Sequence, residues 1–160
     1  VSARVIGDAG GPFIRTALVN AGAKDGLVTG LAAVPSRGLA GRVIEAGRRA
    51  SRILLLTDLN SRVPVVIEGS RYRAVLEGDN SDTMHLNFLA AAAKLSAGDR
   101  VVTSGHGGVF PPGLPVGVVS STRNGTLRVQ PFVDYDRLEY VRIIRYDFPQ
   151  PDEGLKGARQ

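Results

Sequence analysis

Short apolar runs separated by glycine and proline turns are the feature that most limits how this chain can fold. In residues 98–119, turns at Gly98-Asp99 and Pro111-Pro112-Gly113 precede apolar runs at Arg100–Thr103 and 116–120. Proline presets φ near about −65° and glycine enters positive φ without strain, so Pro-Pro-Gly predicts a type II turn. The 20 Gly and 9 Pro are spread in this manner along all 160 residues. They predict about twelve short strands and very little helix.

The two halves of the chain echo each other. A turn, strand, loop, turn and strand occur twice, with an offset of 74 from Thr29 to Thr103 and of 76 from Gly41 to Gly117. Gly41 and Gly117 are expected to allow the sharp bend or close backbone approach that a small barrel requires. Chance similarity in a chain rich in glycine and valine is the alternative. The repeat predicts an all-β fold with two small six-stranded barrels in tandem.

Two small barrels in tandem also form the chymotrypsin-like proteases, so a catalytic triad has to be considered. The candidates are Ser104, His85 and Asp99. In that fold the histidine and the aspartate come from the first barrel and the serine from the second. Here all three lie in the second half, the first half has no histidine, and His106 is only two residues past Ser104. We therefore expect no enzyme, and a protease stays an alternative.

The composition argues against metal, cofactor and disulfide chemistry. The chain has no cysteine, and its two histidines lie in different segments, so we predict no metal and no cofactor. The net charge of +5 would suit an anionic partner. A basic barrel that binds nucleic acid is a second alternative, but aromatic residues are only 6% of the chain. The densest basic group has one acidic residue, Glu45, within it and consists of Arg37, Arg42, Arg48, Arg49 and Arg52.

No apolar run approaches the roughly 18 residues that would cross a bilayer. The chain begins at Val1 and shows no charged-then-apolar leader. We therefore expect a fragment whose targeting segment lies upstream. Residues 149–160 are polar and contain proline and glycine, so a flexible tail is expected there.

Several segments, in order and at sensible spacing, resemble the family of the rod-shape-determining protein MreC. They include Gly-Leu-Ala-Gly-Arg-Val at 38–43, Gly-Asp-Arg-Val-Val-Thr-Ser-Gly at 98–105, and Phe-Pro-Pro-Gly-Leu-Pro-Val-Gly at 110–117. Together with weaker matches they cover nearly all of residues 3–146. The residues that carry this structural motif are Gly38, Gly41, Gly98, Asp99, Thr103, Ser104, Gly105, Gly113, Pro115 and Gly117.

The resemblance implies a non-enzymatic scaffold of the bacterial elongation machinery. Members of this family carry one inner-membrane helix, a coiled coil and two periplasmic β-barrels that look like the protease fold without its triad. The first barrel is completed by the last strand, which implies 1–62 plus 131–148 for the first barrel and 63–130 for the second. The family self-associates into dimers and filaments. It binds and activates the elongation-specific penicillin-binding transpeptidase and works with MreD, the actin-like MreB and the RodA-type polymerase.

Two surfaces are candidates for partner binding or self-association. Val109, Phe110, Pro111 and Pro112 could form an apolar loop tip, although Phe110 could equally plug the end of the barrel. The second candidate is basic and comprises Arg42, Arg48, Arg49 and Arg52. Exposed strand edges are a third possible route to a partner, because unpaired backbone groups are a template for another chain.

Overall fold

The computed structural model describes residues 1–8, 14–88, 95–108, 110–121 and 127–145. The predicted all-β fold is confirmed, and the only helices in these residues are three short 3₁₀ turns at Ala23–Asp25, His106–Gly108 and Tyr135–Arg137. Val109 and the predicted tail at 149–160 lie outside the described residues. The twelve strands are β1 (Ser2–Asp8), β2 (Thr16–Val19), β3 (Ala32–Val34), β4 (Gly41–Ala46), β5 (Ser51–Leu55), β6 (Arg62–Ile67), β7 (Arg73–Glu77), β8 (His85–Phe88), β9 (Arg100–Thr103), β10 (Pro115–Ser121), β11 (Leu127–Pro131) and β12 (Tyr140–Ile144).

The first sheet is a closed barrel in the order β1-β12-β3-β4-β5-β2, with antiparallel pairing throughout. Strand β12, from the far end of the described chain, fits between β1 and β3 and closes the ring. A closed barrel has no free edge. The edge-pairing route expected above is therefore excluded for this sheet. Its interior is filled by small and branched apolar side chains such as Ala33, Val43 and Ile53, each at most 1% exposed.

The second sheet has the order β11-β10-β9-β6-β7-β8 and is almost closed. Met84, next to β8, and Val129 in β11 exchange two backbone hydrogen bonds of 3.0 and 2.9 Å, which join the two ends of the sheet. Pro64 lies within β6, between β7 and β9. It is tolerated there because the ladder with β9 begins one residue later, at Val65. Pro64 thus lies just before the ladder with β9 begins, on a strand that is not an edge.

The side chain of Arg128 reinforces the junction of β8 and β11. Its Nη2 donates to Asp79 Oδ2 at 2.6 Å, to the Thr83 carbonyl at 3.0 Å and to Ser81 Oγ at 3.1 Å. Its Nε donates to Thr83 Oγ1 at 2.9 Å. Burial opposes ionisation of Asp79, but the hydrogen bonds from Ser81 and Arg128, and the charge of Arg128, outweigh it and lower the pKa of Asp79. The ion pair therefore helps to hold the second sheet closed.

Asp79→Asn is expected to destabilise the fold by about 1 kcal/mol at neutral pH, since the pair with Arg128 is partly exposed. Because the folded state lowers the pKa of Asp79 below its ordinary value of 3.8, this stabilisation is complete above pH 3.8. It is lost as the pH falls through the lowered pKa. Chemical denaturation at a series of pH values should show the difference from the parent chain shrinking below about pH 4. Asp82→Asn, whose carboxylate is 90% exposed, is the control and should change little at any pH.

The core of the second sheet includes side chains from the first barrel. Ala32, Leu39 and Leu56 come from the chain of the first barrel, yet they belong to the core cluster that fills the second sheet. Tyr135, in the connection from β11 to β12, packs against the cores of both sheets and donates from its hydroxyl to the Leu39 carbonyl at 3.2 Å. Burial raises the pKa of Tyr135, so the phenol stays protonated. The division into units at 1–62 plus 131–148 and 63–130 stays a prediction.

The repeat is present, and the predicted match of Gly41 with Gly117 is confirmed, but the preceding strands match in a different register from the one expected. Gly41 pairs with Ala33, and Gly117 pairs with Val101, so β3-β4-β5 matches β9-β10-β11. Thr29 lies in an exposed turn and not in a strand, so its predicted match with Thr103 is wrong. The register differs because the loop between β9 and β10 is longer than the loop between β3 and β4.

Candidate interaction surface

The predicted apolar loop tip is mostly buried. Phe110 is only 3% exposed and belongs to the core cluster of the second sheet. Pro111 is buried as well, whereas Pro112 is exposed. Val109 lies outside the described residues. The Phe110 side chain therefore plugs the second barrel, and an exposed tip carried by Phe110 is not what the fold presents.

Thr103 holds the loop that places Phe110 in the core. Its hydroxyl, on a residue 1% exposed, donates to the Pro111 carbonyl at 2.6 Å and accepts from the Leu114 N–H at 2.8 Å. The Gly113 N–H donates to the Thr103 carbonyl at 2.8 Å. Gly113 has a φ of 83°, which glycine adopts without strain, as expected for the Pro-Pro-Gly turn. One threonine thus fixes the return of the chain from β9 to β10.

Thr103→Val is expected to destabilise the fold by about 1–3 kcal/mol, because one buried and one half-buried backbone group lose their partner while the volume stays the same. Denaturant unfolding followed by circular dichroism measures the loss. Thr57→Val is the matched control. The Thr57 hydroxyl is buried and has no hydrogen-bond partner among the described residues, so its removal should be neutral or stabilising. Equal losses in the two variants would contradict the role assigned to Thr103.

The remaining motif residues are structural. A Cβ on Gly41 would overlap the carbonyl oxygen of Leu54, and a Cβ on Gly117 would overlap that of Gln130. The close backbone approach predicted at both strand glycines is therefore present. The Asp99 carboxylate accepts from the Ser96 N–H at 2.9 Å. The motif residues also include half-buried Pro115, which pairs with Val102, and the positive-φ glycines Gly38, Gly98 and Gly105.

The triad candidates do not come together. His85 lies in β8 and Ser104 follows β9, and two strands separate β8 from β9 in either direction around the nearly closed sheet. Ser104 Oγ accepts from the His106 N–H at 3.2 Å. His106 Nε2 lies 2.9 Å from Arg73 Nη1, an arrangement in which a neutral ring accepts the arginine N–H. Asp99 is engaged by Ser96 and does not support either histidine.

The predicted basic surface is divided by the fold. Arg48 and Arg49 are exposed in the turn between β4 and β5, and neither forms an ion pair with another described residue. Arg52 is half-buried and lies 3.8 Å from Glu45. Arg42 is half-buried between Ala32 and Leu54 on the neighbouring strands. Arg48 and Arg49 are thus the members of the group that offer free positive charge.

A groove of about 470 Å³ at the junction of the two sheets was not predicted from the sequence. Pro35 and Arg37 reach it from the turn after β3, Arg100 from β9, Arg142 from β12, and Phe132 from the chain after β11. The guanidinium of Arg100 lies 5.7 Å from the centre of the Phe132 ring. Because these residues come from four separate segments, no local sequence pattern could have revealed the groove.

Comparisons with known proteins agree with this fold. A family model for the barrel core of the rod shape-determining protein MreC matches residues 5–145. The cell shape-determining protein MreC of Cereibacter sphaeroides is 47% identical over 145 residues, which cover 91% of this chain and 48% of that protein. The crystal structure of MreC from Pseudomonas aeruginosa is similar with a TM-score of 0.82 at 29% identity, covering 91% of this chain and 98% of that one.

A fourth comparison concerns an assembly. The MreC fold in a solved complex between a penicillin-binding protein and MreC from Helicobacter pylori is similar with a TM-score of 0.65 at 16% identity, covering 91% of this chain and 99% of that one.

The chain spans about half the length of the curated relatives it matches, 48% and 46% for the first two. Within the described ranges, no helix has both the length and the apolar character needed to cross a bilayer. The family model matches residues 5–145, and the chain folds into two six-stranded sheets in tandem. Both observations agree with the family that the sequence motifs indicated. This chain belongs to the MreC family of rod shape-determining proteins.

Proposed function

We propose that this chain is the non-enzymatic, periplasmic barrel part of a cell-shape scaffold that binds and activates an elongation-specific penicillin-binding transpeptidase. The observation that carries the proposal is the Helicobacter pylori complex, in which an MreC protein of this fold is bound to a penicillin-binding protein. The proposal extends to self-association, and to MreD, MreB and the RodA-type polymerase as further partners.

The absence of an assembled triad supports a binding function over a protease. Ser104 and His85 lie on opposite sides of the second sheet, so His85 cannot act as a general base for Ser104. His106 is near Ser104, but its ring contacts Arg73 and not a carboxylate. No group of three or more His, Cys, Asp or Glu side chains suited to a metal ion occurs in the described ranges. The side chains available for chemistry are instead dispersed over the barrel surfaces.

Because the first barrel is closed, we expect the partner to contact its side chains and not the backbone of a free strand edge. With no free edge on this barrel, a partner cannot extend the sheet and has to contact its outer surface or its turns. Arg48 and Arg49 project from the turn between β4 and β5, which is anchored by hydrogen bonds from the Ala23 and Lys24 N–H groups to the carbonyls of Gly47 and Arg48. A rigidly held, unpaired pair of charges is suited to an acidic partner surface.

Isothermal titration calorimetry tests the proposal, with the chain titrated into the periplasmic domain of the transpeptidase. The parent chain is expected to bind saturably, and the double variant R48E/R49E to bind about tenfold more weakly because two favourable charge contacts become repulsive. The control is R4E/R71E, an equal change of charge at two exposed arginines elsewhere. A folded parent chain that binds nothing would overturn the proposal, and equal weakening by both double variants would remove Arg48 and Arg49 from the contact.

A further inference from the structure

The groove at the junction of the two sheets combines an apolar lining with unsatisfied positive charge. Val34, Pro35 and Phe132 contribute apolar surface, and Arg37, Arg100 and Arg142 contribute three guanidinium groups. Two neighbouring hollows share Pro35 and Ser36 with it, so the concave surface continues along β12 towards Tyr140, which is 61% exposed. The concave surface therefore extends over three hollows and is larger than a site for a single small ion.

The arginines of the groove are largely free of intramolecular partners. Among the described residues, Arg37 and Arg142 form no ion pair, and both are exposed. Arg100 approaches Glu68 only to 4.0 Å, with both side chains 51% exposed, and its guanidinium is placed over the Phe132 ring. Such placement preorganises a long flexible side chain. The groove therefore holds positive charge that a ligand could neutralise.

Carboxylates lie close by but outside this part of the concave surface. Asp134 and Glu139 line the adjoining hollow, which shares Arg37 and Phe132 with the groove, and Asp134 lies 3.7 Å from Arg137. The charge thus changes from positive around Arg100 and Arg142 to mixed in the adjoining hollow. A bound segment with acidic residues at one end only would be held in one direction.

We infer that this groove binds a short, extended acidic segment of a partner protein. Its carboxylates would accept paired N–H bonds from Arg37 and Arg142, since the planar guanidinium matches a carboxylate in a bidentate geometry. A proline or an apolar residue between them would pack against Pro35 and Phe132. A peptide fits better than a membrane surface because the arginines line a concave junction that a flat headgroup layer does not enter. The inference does not depend on which partner the scaffold binds elsewhere.

Fluorescence anisotropy with the intact chain tests this inference. The probe is a short fluorescein-labelled peptide of alternating glutamate and proline, and its partner probe has glutamine in place of every glutamate. We expect saturable binding of the acidic peptide that weakens with added salt, and little binding of the glutamine peptide. R37E/R142E should lower the affinity about tenfold or more, whereas K24E/R71E, with the same change of charge at two exposed residues outside the groove lining, should lower it less than about twofold.

Two further measurements keep the test decisive. Phe132→Ala leaves the net charge unchanged and should weaken peptide binding several-fold, while circular dichroism melting confirms that each variant is folded. Equal losses in R37E/R142E and K24E/R71E would overturn the inference, since they would show attraction to overall charge. Binding to phosphatidylglycerol vesicles that needs Arg37 and Arg142, without binding to the acidic peptide, would overturn it in favour of a lipid headgroup. Failure here leaves the transpeptidase titration unaffected, because that experiment measures a different partner protein.

Discussion

Phe110→Asp is expected to abolish cooperative unfolding, or to lower Tm by about 10 °C or more. Removing a buried phenylalanine side chain costs about 3–5 kcal/mol, and a buried carboxylate without a partner adds to this cost. Phe110 is 3% exposed in the core cluster that also contains Val101 and Val116. The loss is a large share of the roughly 5–15 kcal/mol that stabilises a typical domain. Differential scanning calorimetry measures it.

Phe110→Leu and Pro112→Asp are the controls for this prediction. Leucine keeps an apolar side chain in the core, and we expect a loss clearly smaller than that for aspartate. Pro112 is exposed two residues away, so the same new charge there should cost about 1 kcal/mol or less. If Phe110→Asp kept the parent melting curve and lost only partner binding or self-association, Phe110 would be an exposed tip and the assigned plug would be wrong.

Gly117→Ala is expected to destabilise the fold by about 3 kcal/mol or more, at the upper end of overpacking effects. An added Cβ would overlap the carbonyl oxygen of Gln130 and lie 3.0 Å from the Pro131 Cα. Because these are backbone atoms of the paired strand β11, they cannot move away without disrupting the ladder. Gly41→Ala meets the same obstacle at Leu54 and should have a similar effect in the first barrel. Urea denaturation of each variant measures the loss.

Gly7→Ala is the matched control for the two strand glycines. Gly7 also lies in a strand, β1, but apart from its chain neighbours no atom of the described residues is within 4 Å of the position its Cβ would take. Alanine there should be neutral or stabilise the fold by up to about 1 kcal/mol, because the unfolded chain loses conformational freedom. A loss at Gly7 equal to that at Gly117 would show that general strand effects, and not the close approach of β11, determine the result.

The fold class could be predicted because turn residues and apolar runs are local signals. The run at Arg100–Thr103 has the same bounds as β9, and the Pro-Pro-Gly turn contains the positive φ expected at Gly113. The order of the strands in each sheet is harder to predict from local sequence patterns. The closure of the first barrel by β12 joins segments more than a hundred residues apart, and only the family resemblance indicated it. The expected match of Thr29 with Thr103 failed because loop lengths shift the register of a repeat without changing its strands.

The candidate surfaces depend on tertiary contacts, which local sequence patterns do not show. An apolar residue between turn residues, such as Phe110, suits both a tip and a plug, and the choice depends on the tertiary hydrogen bonds of Thr103. Likewise, Arg42, Arg48, Arg49 and Arg52 are close in sequence, but strand pairing buries part of Arg42 and Arg52 and leaves Arg48 and Arg49 exposed. The groove around Phe132 depends wholly on the packing of one sheet against the other.

Whether these barrels act by binding and not by catalysis is tested most directly in the bacterium that encodes the chain. Cells that lack the gene are complemented with a copy of the gene that carries Ser104→Ala and His85→Ala together, and cell shape is measured by microscopy. Rod-shaped cells are predicted, because neither side chain belongs to an assembled catalytic group. Rounded cells containing the variant at the normal level and in folded form would contradict the binding function.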